Sequence, residues 1–173
     1  MSKFHSIRTA YGEYQEFYDR MNKFFDLSAR LPDQVFRGPK GESLFGPYDD
    51  LIDPEFWTVI SALARWHGDA RVYLLSVRPG PDESYLRDSN FCPAVSISVE
   101  ASEEDYWAAI GFDSIGDSAP SIALTTNVMA LTGDSGKWGF WAERDPEVAV
   151  YRGDFSVVRQ NNNWMEKFGP FRD

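Results

Sequence analysis

The side chains able to do covalent or proton-transfer chemistry are few. His5 and His67 are the only imidazoles and Cys92 the only thiol, so proton shuttling, nitrogen ligation and thiolate attack have little to draw on. His67 ends an apolar helical run, where the negative end of the helix dipole favours an imidazole that has no catalytic role. Cys92 lies between Phe91 and Pro93 with no CxxC partner and no base evident beside it, the setting of an inert buried thiol. Gly133-Asp134-Ser135-Gly136-Lys137-Trp138 follows an apolar strand and invites comparison with a phosphate loop. A Walker loop, however, needs four residues between its glycines and Ser or Thr after the lysine, where this chain has Asp134-Ser135 and Trp138. A polar hairpin turn is the better reading. GxSxG, HExxH, the dinucleotide glycine fingerprint and the Asp-rich calcium loop are absent.

Carboxylates and aromatics are more abundant. Asp49, Asp50 and Asp53 precede one helical segment, Glu100 to Asp105 another, and Asp113 and Asp117 follow. Two of these facing across a cleft could hydrolyse a glycoside, and several converging could hold an oxygen-ligated metal; acidic runs before helices also arise simply as solvated, dipole-complementing faces. Aromatic residues make up 16% of the chain. Phe17, Phe24, Phe56 and Trp57 sit on apolar helix faces and read as packing residues. Tyr48, Tyr106, Trp107, Trp138 and Trp141 are candidates for exposed anchors at an interface, with core filling as the alternative.

The elements that would position these residues follow from periodicity and punctuation. Residues 11 to 30 place Tyr14, Phe17, Tyr18, Met21, Phe24 and Phe25 at steps of three and four, predicting an amphipathic helix stopped by Pro32. Residues 36 to 47, rich in Gly and Pro, read as a long loop. Asp53-Pro54-Glu55 starts a second helix, with an N-cap, a first-position proline and a dipole-matched carboxylate, and Gly68 ends it. Ala70 to Val77 reads as a strand, and Val95, Ile97 and Val99 alternate with Ser96, Ser98 and Glu100 as a half-buried strand should. Ser102-Glu103-Glu104-Asp105 opens a short third helix ending before Gly111. Strands are predicted over Ile122 to Leu131, Lys137 to Ala142 and Glu147 to Tyr151, joined by turns at 133–136 and 144–146. Trp164, Met165 and Phe168 suggest a closing helix or docked tail.

Composition bounds the rest. A chain of 173 residues with 43% apolar and 25% charged residues has the size and usage of a single folded domain, spanning 1–173 without repeat or linker. The expected fold is α+β: an antiparallel sheet of about five strands with helices packed on one face. Seventeen Lys and Arg against 27 Asp and Glu leave a net charge of −10, which disfavours a nucleic-acid partner, because phosphate affinity comes from clustered cations. The single cysteine, the lack of an apolar leader and the lack of any run long enough to cross a bilayer point to the cytoplasm, with no membrane partner and no lipid anchor.

The segment Ser135-Gly136-Lys137-Trp138-Gly139-Phe140-Trp141-Ala142-Glu143-Arg144-Asp145-Pro146-Glu147-Val148-Ala149-Val150, about a tenth of the chain, resembles the GxWG strand, acidic turn and short apolar strand found late in small acidic bacterial immunity proteins of polymorphic and contact-dependent toxin systems. The resemblance implies a stoichiometric, non-enzymatic role: binding and neutralising a cognate toxin domain, with no catalytic residues, cofactor or metal. A basic toxin domain would suit the charge. The expected binding face combines Asp49, Asp50, Glu103, Glu104 and Asp105 with one or more of Tyr48, Tyr106, Trp107, Trp138 and Trp141. The alternative is a small enzyme or small-molecule-binding domain that uses its acidic residues.

Overall fold

The computed structural model describes residues 7–10, 13–39, 41–80, 91–111 and 121–161. Its centre is a seven-stranded, wholly antiparallel sheet in the order β1-β4-β3-β5-β6-β7-β2. The strands are β1 (Ile7–Ala10), β2 (Leu44–Pro47), β3 (Arg71–Arg78), β4 (Phe91–Ser98), β5 (Val128–Gly133), β6 (Gly139–Glu143) and β7 (Val148–Arg152). The helices are α1 (Tyr14–Met21), α2 (Trp57–Trp66), α3 (Glu103–Ile110), α4 (Ile122–Thr125) and α5 (Phe155–Asn161), with two 3₁₀ turns at Tyr48–Ile52 and Pro54–Phe56. This is the expected α+β class, an antiparallel sheet with helices α2 to α5 packed on one face; α1 alone among the described helices lies on the other. The sheet is wider than the predicted five strands because β1 and β2 add its two edges.

Alternation along each strand sorts the core into two layers. Val72, Leu74, Val95, Ile97, Met129, Leu131, Phe140 and Tyr151 face α2, α3, α4 and α5. Leu75, Ala94, Val128, Ala130, Trp141 and Val150 face the other way, under α1 and the irregular segment 22–37, which contributes Phe25, Leu27, Val35 and Phe36. Both faces are therefore covered. In the predicted half-buried strand at 95–99, Val95, Ile97 and Val99 are buried and Ser98 and Glu100 are not, as expected; Ser96 alone of its outward residues is buried.

Other departures have local causes. The first helix ends at Met21 instead of running toward residue 30. Arg37 closes that end, its Nε donating to the carbonyls of Asn22 (2.6 Å) and Phe25 (3.0 Å), while Phe25 pairs in a bridge with Phe36 and packs on Trp141. The last residues of the predicted 36–47 loop form β2 on β7. Residues 122–125 are helical, and the strand begins only at Val128. The last described helix spans Phe155–Asn161; the closing helix or tail expected at Trp164, Met165 and Phe168 lies outside the described residues, as do Asp113 and Asp117. No helix among the described residues is long and apolar enough to cross a membrane.

Candidate functional site

The two acidic runs are brought onto adjoining elements by local capping followed by aromatic packing. Asp53 caps the turn into α2, its carboxylate accepting from the Glu55 amide at 2.9 Å. Ser102 and Asp105 form a reciprocal capping box at the start of α3, with the Asp105 amide donating to Ser102 Oγ at 3.1 Å and the Ser102 amide to Asp105 Oδ2 at 3.0 Å. These are the starts that the sequence signalled. The Tyr106 ring then stacks on Trp57 at 4.9 Å and its hydroxyl donates to the Leu51 carbonyl, tying α3 to the turn that carries Asp49 and Asp50. Thr58 on α2 donates to Glu103 at 2.8 Å, and the Trp57 indole to the Ala101 carbonyl at 2.7 Å. Asp49, Asp53, Glu55, Glu100, Glu103 and Glu104 remain exposed, while Asp50 and Asp105 are half-buried.

Four of the five aromatics expected as anchors are core residues. Tyr48, Tyr106, Trp138 and Trp141 are each at most 1% exposed. Their polar tips are satisfied internally, as buried indole and phenol groups require. Trp138 donates to Asp69 at 2.7 Å and Trp141 to Glu143 at 2.8 Å, while Tyr48 donates to the Thr126 carbonyl at 2.7 Å beneath the Arg144 guanidinium. Burial raises the Tyr48 pKa, partly opposed by Arg144, and drives that of Tyr106 well above the ordinary phenol range. Trp107 is half-buried against the same core. Trp138 and Trp141 cannot share a surface: they lie on opposite faces of a sheet that is covered on both sides.

The exposed aromatic that the sequence reading passed over is Trp66, 64% exposed at the end of α2. Its signal was positional. Six residues beyond Ile60, it lies about 120° around the helix from that residue and about 60° from Leu63, at the rim of the buried stripe.

Residue 133 and those after it form a hairpin turn between β5 and β6, as predicted, and carboxylates fill its polar groups. Asp69 Oδ1 accepts from the Ser135 amide at 2.6 Å. In return Asp134 Oδ2 accepts from the amides of Ala70 (3.1 Å) and Arg71 (2.8 Å), and its Oδ1 from the Tyr73 hydroxyl at 2.7 Å. His67 stacks on Trp138 with ring centroids 6.4 Å apart, as a packing residue would. The Cys92 side chain lies outside the described residues.

Among the described residues no three His, Cys, Asp or Glu side chains group so as to hold a metal ion. An open cleft of ≈ 550 Å³ lies at the start of α5, lined by Glu42, Arg152, Asp154, Phe155 and Ser156 among others. The Asp154 carboxyl there is held below its usual range by hydrogen bonds from the Ser156 side chain and amide.

Fold and surface together define an α+β domain with a covered antiparallel sheet and a carboxylate-rich helical face. Comparison with protein-family models, with curated proteins and with solved structures finds no match to the chain.

Proposed function

We propose that the chain is a non-enzymatic, cytoplasmic protein-binding domain of the bacterial immunity type, which captures a basic toxin domain one to one and blocks it. The observation that carries this reading is the joining of two acidic runs, some fifty residues apart in sequence, on adjoining elements held by Tyr106, Trp57 and Thr58. Exposed carboxylates on a rigid scaffold accelerate encounter with a cationic partner and disfavour a polyanionic one. The resemblance of residues 135–150 to immunity proteins supports the same class, although those residues build core and hairpin rather than the acidic face.

The test is titration of this chain into a basic toxin domain sought among the products of the genes that flank its own. Full loss of toxin activity at a one-to-one ratio, with a stable complex by size exclusion, is the expected result. Undiminished activity at several-fold excess, or inhibition far below stoichiometry through turnover, overturns the proposal. The cleft beside Arg152 favours the second reading, a small-molecule site; a metabolite that raises the melting temperature in the wild type but not in Arg152→Ala would establish it.

A further inference from the structure

We propose that the outer face of α2, centred on Trp66, is the docking surface for a lysine- or arginine-bearing segment of a protein partner, an inference that rests on the protein-binding reading above. Thr58, Ala62 and Trp66 follow one another at steps of four along α2, a row that spans about 12 Å at 1.5 Å per residue and runs from the side opposite Ile60 to the rim of the buried stripe beside Leu63. Trp57, Trp138 and Trp141 are at most 2% exposed, whereas Trp66 is 64% exposed. A large indole in water is a ready source of short-range binding energy, and Trp is among the side chains most enriched at the energetic centres of interfaces.

Charge selects the occupant. Glu55 is exposed just before Thr58, Glu103 is fastened to Thr58 Oγ1 at 2.8 Å, and Glu104 is exposed beside it on α3. Arg65, the basic residue next to Trp66, is turned aside: its Nη2 donates to the Val99 carbonyl at 2.6 Å and its Nε lies 3.7 Å from Glu100. Its charge is thereby largely balanced by Glu100, and carboxylates dominate the flank of the row. The Ala62 side chain, between Thr58 and Trp66, is half-buried against the core and projects little from the row. A segment with two cations about 12 Å apart can set one on the Trp66 indole face and the other among the carboxylates near Thr58, whereas a phosphate or an acidic peptide would meet like charge.

The probe is a twelve-residue peptide alternating Arg and Ser, titrated into the ¹⁵N-labelled full chain at 20 and 150 mM salt. Amide shifts should concentrate on residues 55–66 and 103–104, together with the Trp66 indole signal, assigned from Trp66→Phe. Trp66→Ala should weaken binding about tenfold, Trp66→Phe should retain most of it, and Glu55→Gln/Glu103→Gln/Glu104→Gln should flatten the salt dependence. Because these side chains are exposed, the variants should keep the wild-type spectrum elsewhere. Binding that leaves both the alanine and triple variants within twofold of wild type overturns the surface while the protein-binding reading stands. No peptide binding even at 20 mM salt also overturns it, and only failure of the one-to-one toxin titration overturns the broader reading.

Discussion

Removing the Asp69 carboxylate should unfasten the turn between β5 and β6 from the connection between α2 and β3. Asp69 is 5% exposed and accepts three hydrogen bonds: from the Ser135 amide at 2.6 Å, the Ser135 hydroxyl at 3.2 Å and the Trp138 indole at 2.7 Å. In Asp69→Ala the fully buried Trp138 indole and the Ser135 amide lose their acceptor. An unsatisfied buried donor costs about 1–3 kcal/mol, offset in part because a charge no longer has to be desolvated, so a net loss of roughly 3 kcal/mol is expected. Gly133 attacks the same clasp from the other side. A Cβ there would stand 2.0 Å from Asp69 Oδ2 and 3.0 Å from Trp138 Nε1, and a carboxylate bonded through both oxygens cannot swing aside without breaking those bonds. Gly133→Ala should therefore also cost roughly 3 kcal/mol, and the double variant should cost little more than either single one, a coupling of about 2–3 kcal/mol between residues in direct contact. Urea unfolding followed by tryptophan fluorescence and circular dichroism measures all four corners of the cycle. Single losses under about 1 kcal/mol, or additivity within about 0.5 kcal/mol, would refute the clasp.

Glu143, 5% exposed, accepts from the Leu31 amide and the Trp141 indole, each at 2.8 Å. Glu143→Ala should destabilise by roughly 2–4 kcal/mol and speed hydrogen exchange at Leu31, with Glu143→Gln milder because it keeps an acceptor; unchanged exchange at Leu31 would contradict this. Burial raises the pKa values of Tyr48, Tyr106 and Tyr151, so the native state holds protons that the unfolded state releases near pH 10. Their contribution to stability is complete below that pH and is lost as pH rises beyond it. Phenolate absorbance should consequently appear cooperatively with alkaline unfolding, and smooth titration of all tyrosines near pH 10 in the folded protein would count against the burial. Neutralising Asp49, Asp50, Glu103 and Glu104 together should slow association with a basic partner about tenfold at low salt and flatten its salt dependence; unchanged association would put the interface on another face.

Much of the secondary structure was legible because its causes are local. Asp53-Pro54-Glu55 and Ser102 to Asp105 carry their helix starts in the chemistry of a few adjacent residues, and the hairpin at 133–136 announces itself by turn residues between alternating strands. The strong negative charge and the poverty of imidazoles and thiols are likewise properties of the sequence alone. Tertiary contacts decided what periodicity could not. The end of α1 depends on Arg37 reaching back to Asn22 and Phe25, and β2 exists because β7 offers it an edge. The fate of the aromatics was a tertiary matter as well: alternation sends Trp138 and Trp141 to opposite faces of the sheet, but only the presence of a layer over each face makes both of them core. Trp66 is the converse case: helix periodicity puts it at the rim of the buried stripe, beside Leu63, and only the tertiary structure leaves its indole 64% exposed. Local sequence sets backbone preference and side-chain direction; whether a directed side chain meets water or protein depends on elements distant in the chain, which is why the candidate face emerged only once α2 and α3 were seen side by side.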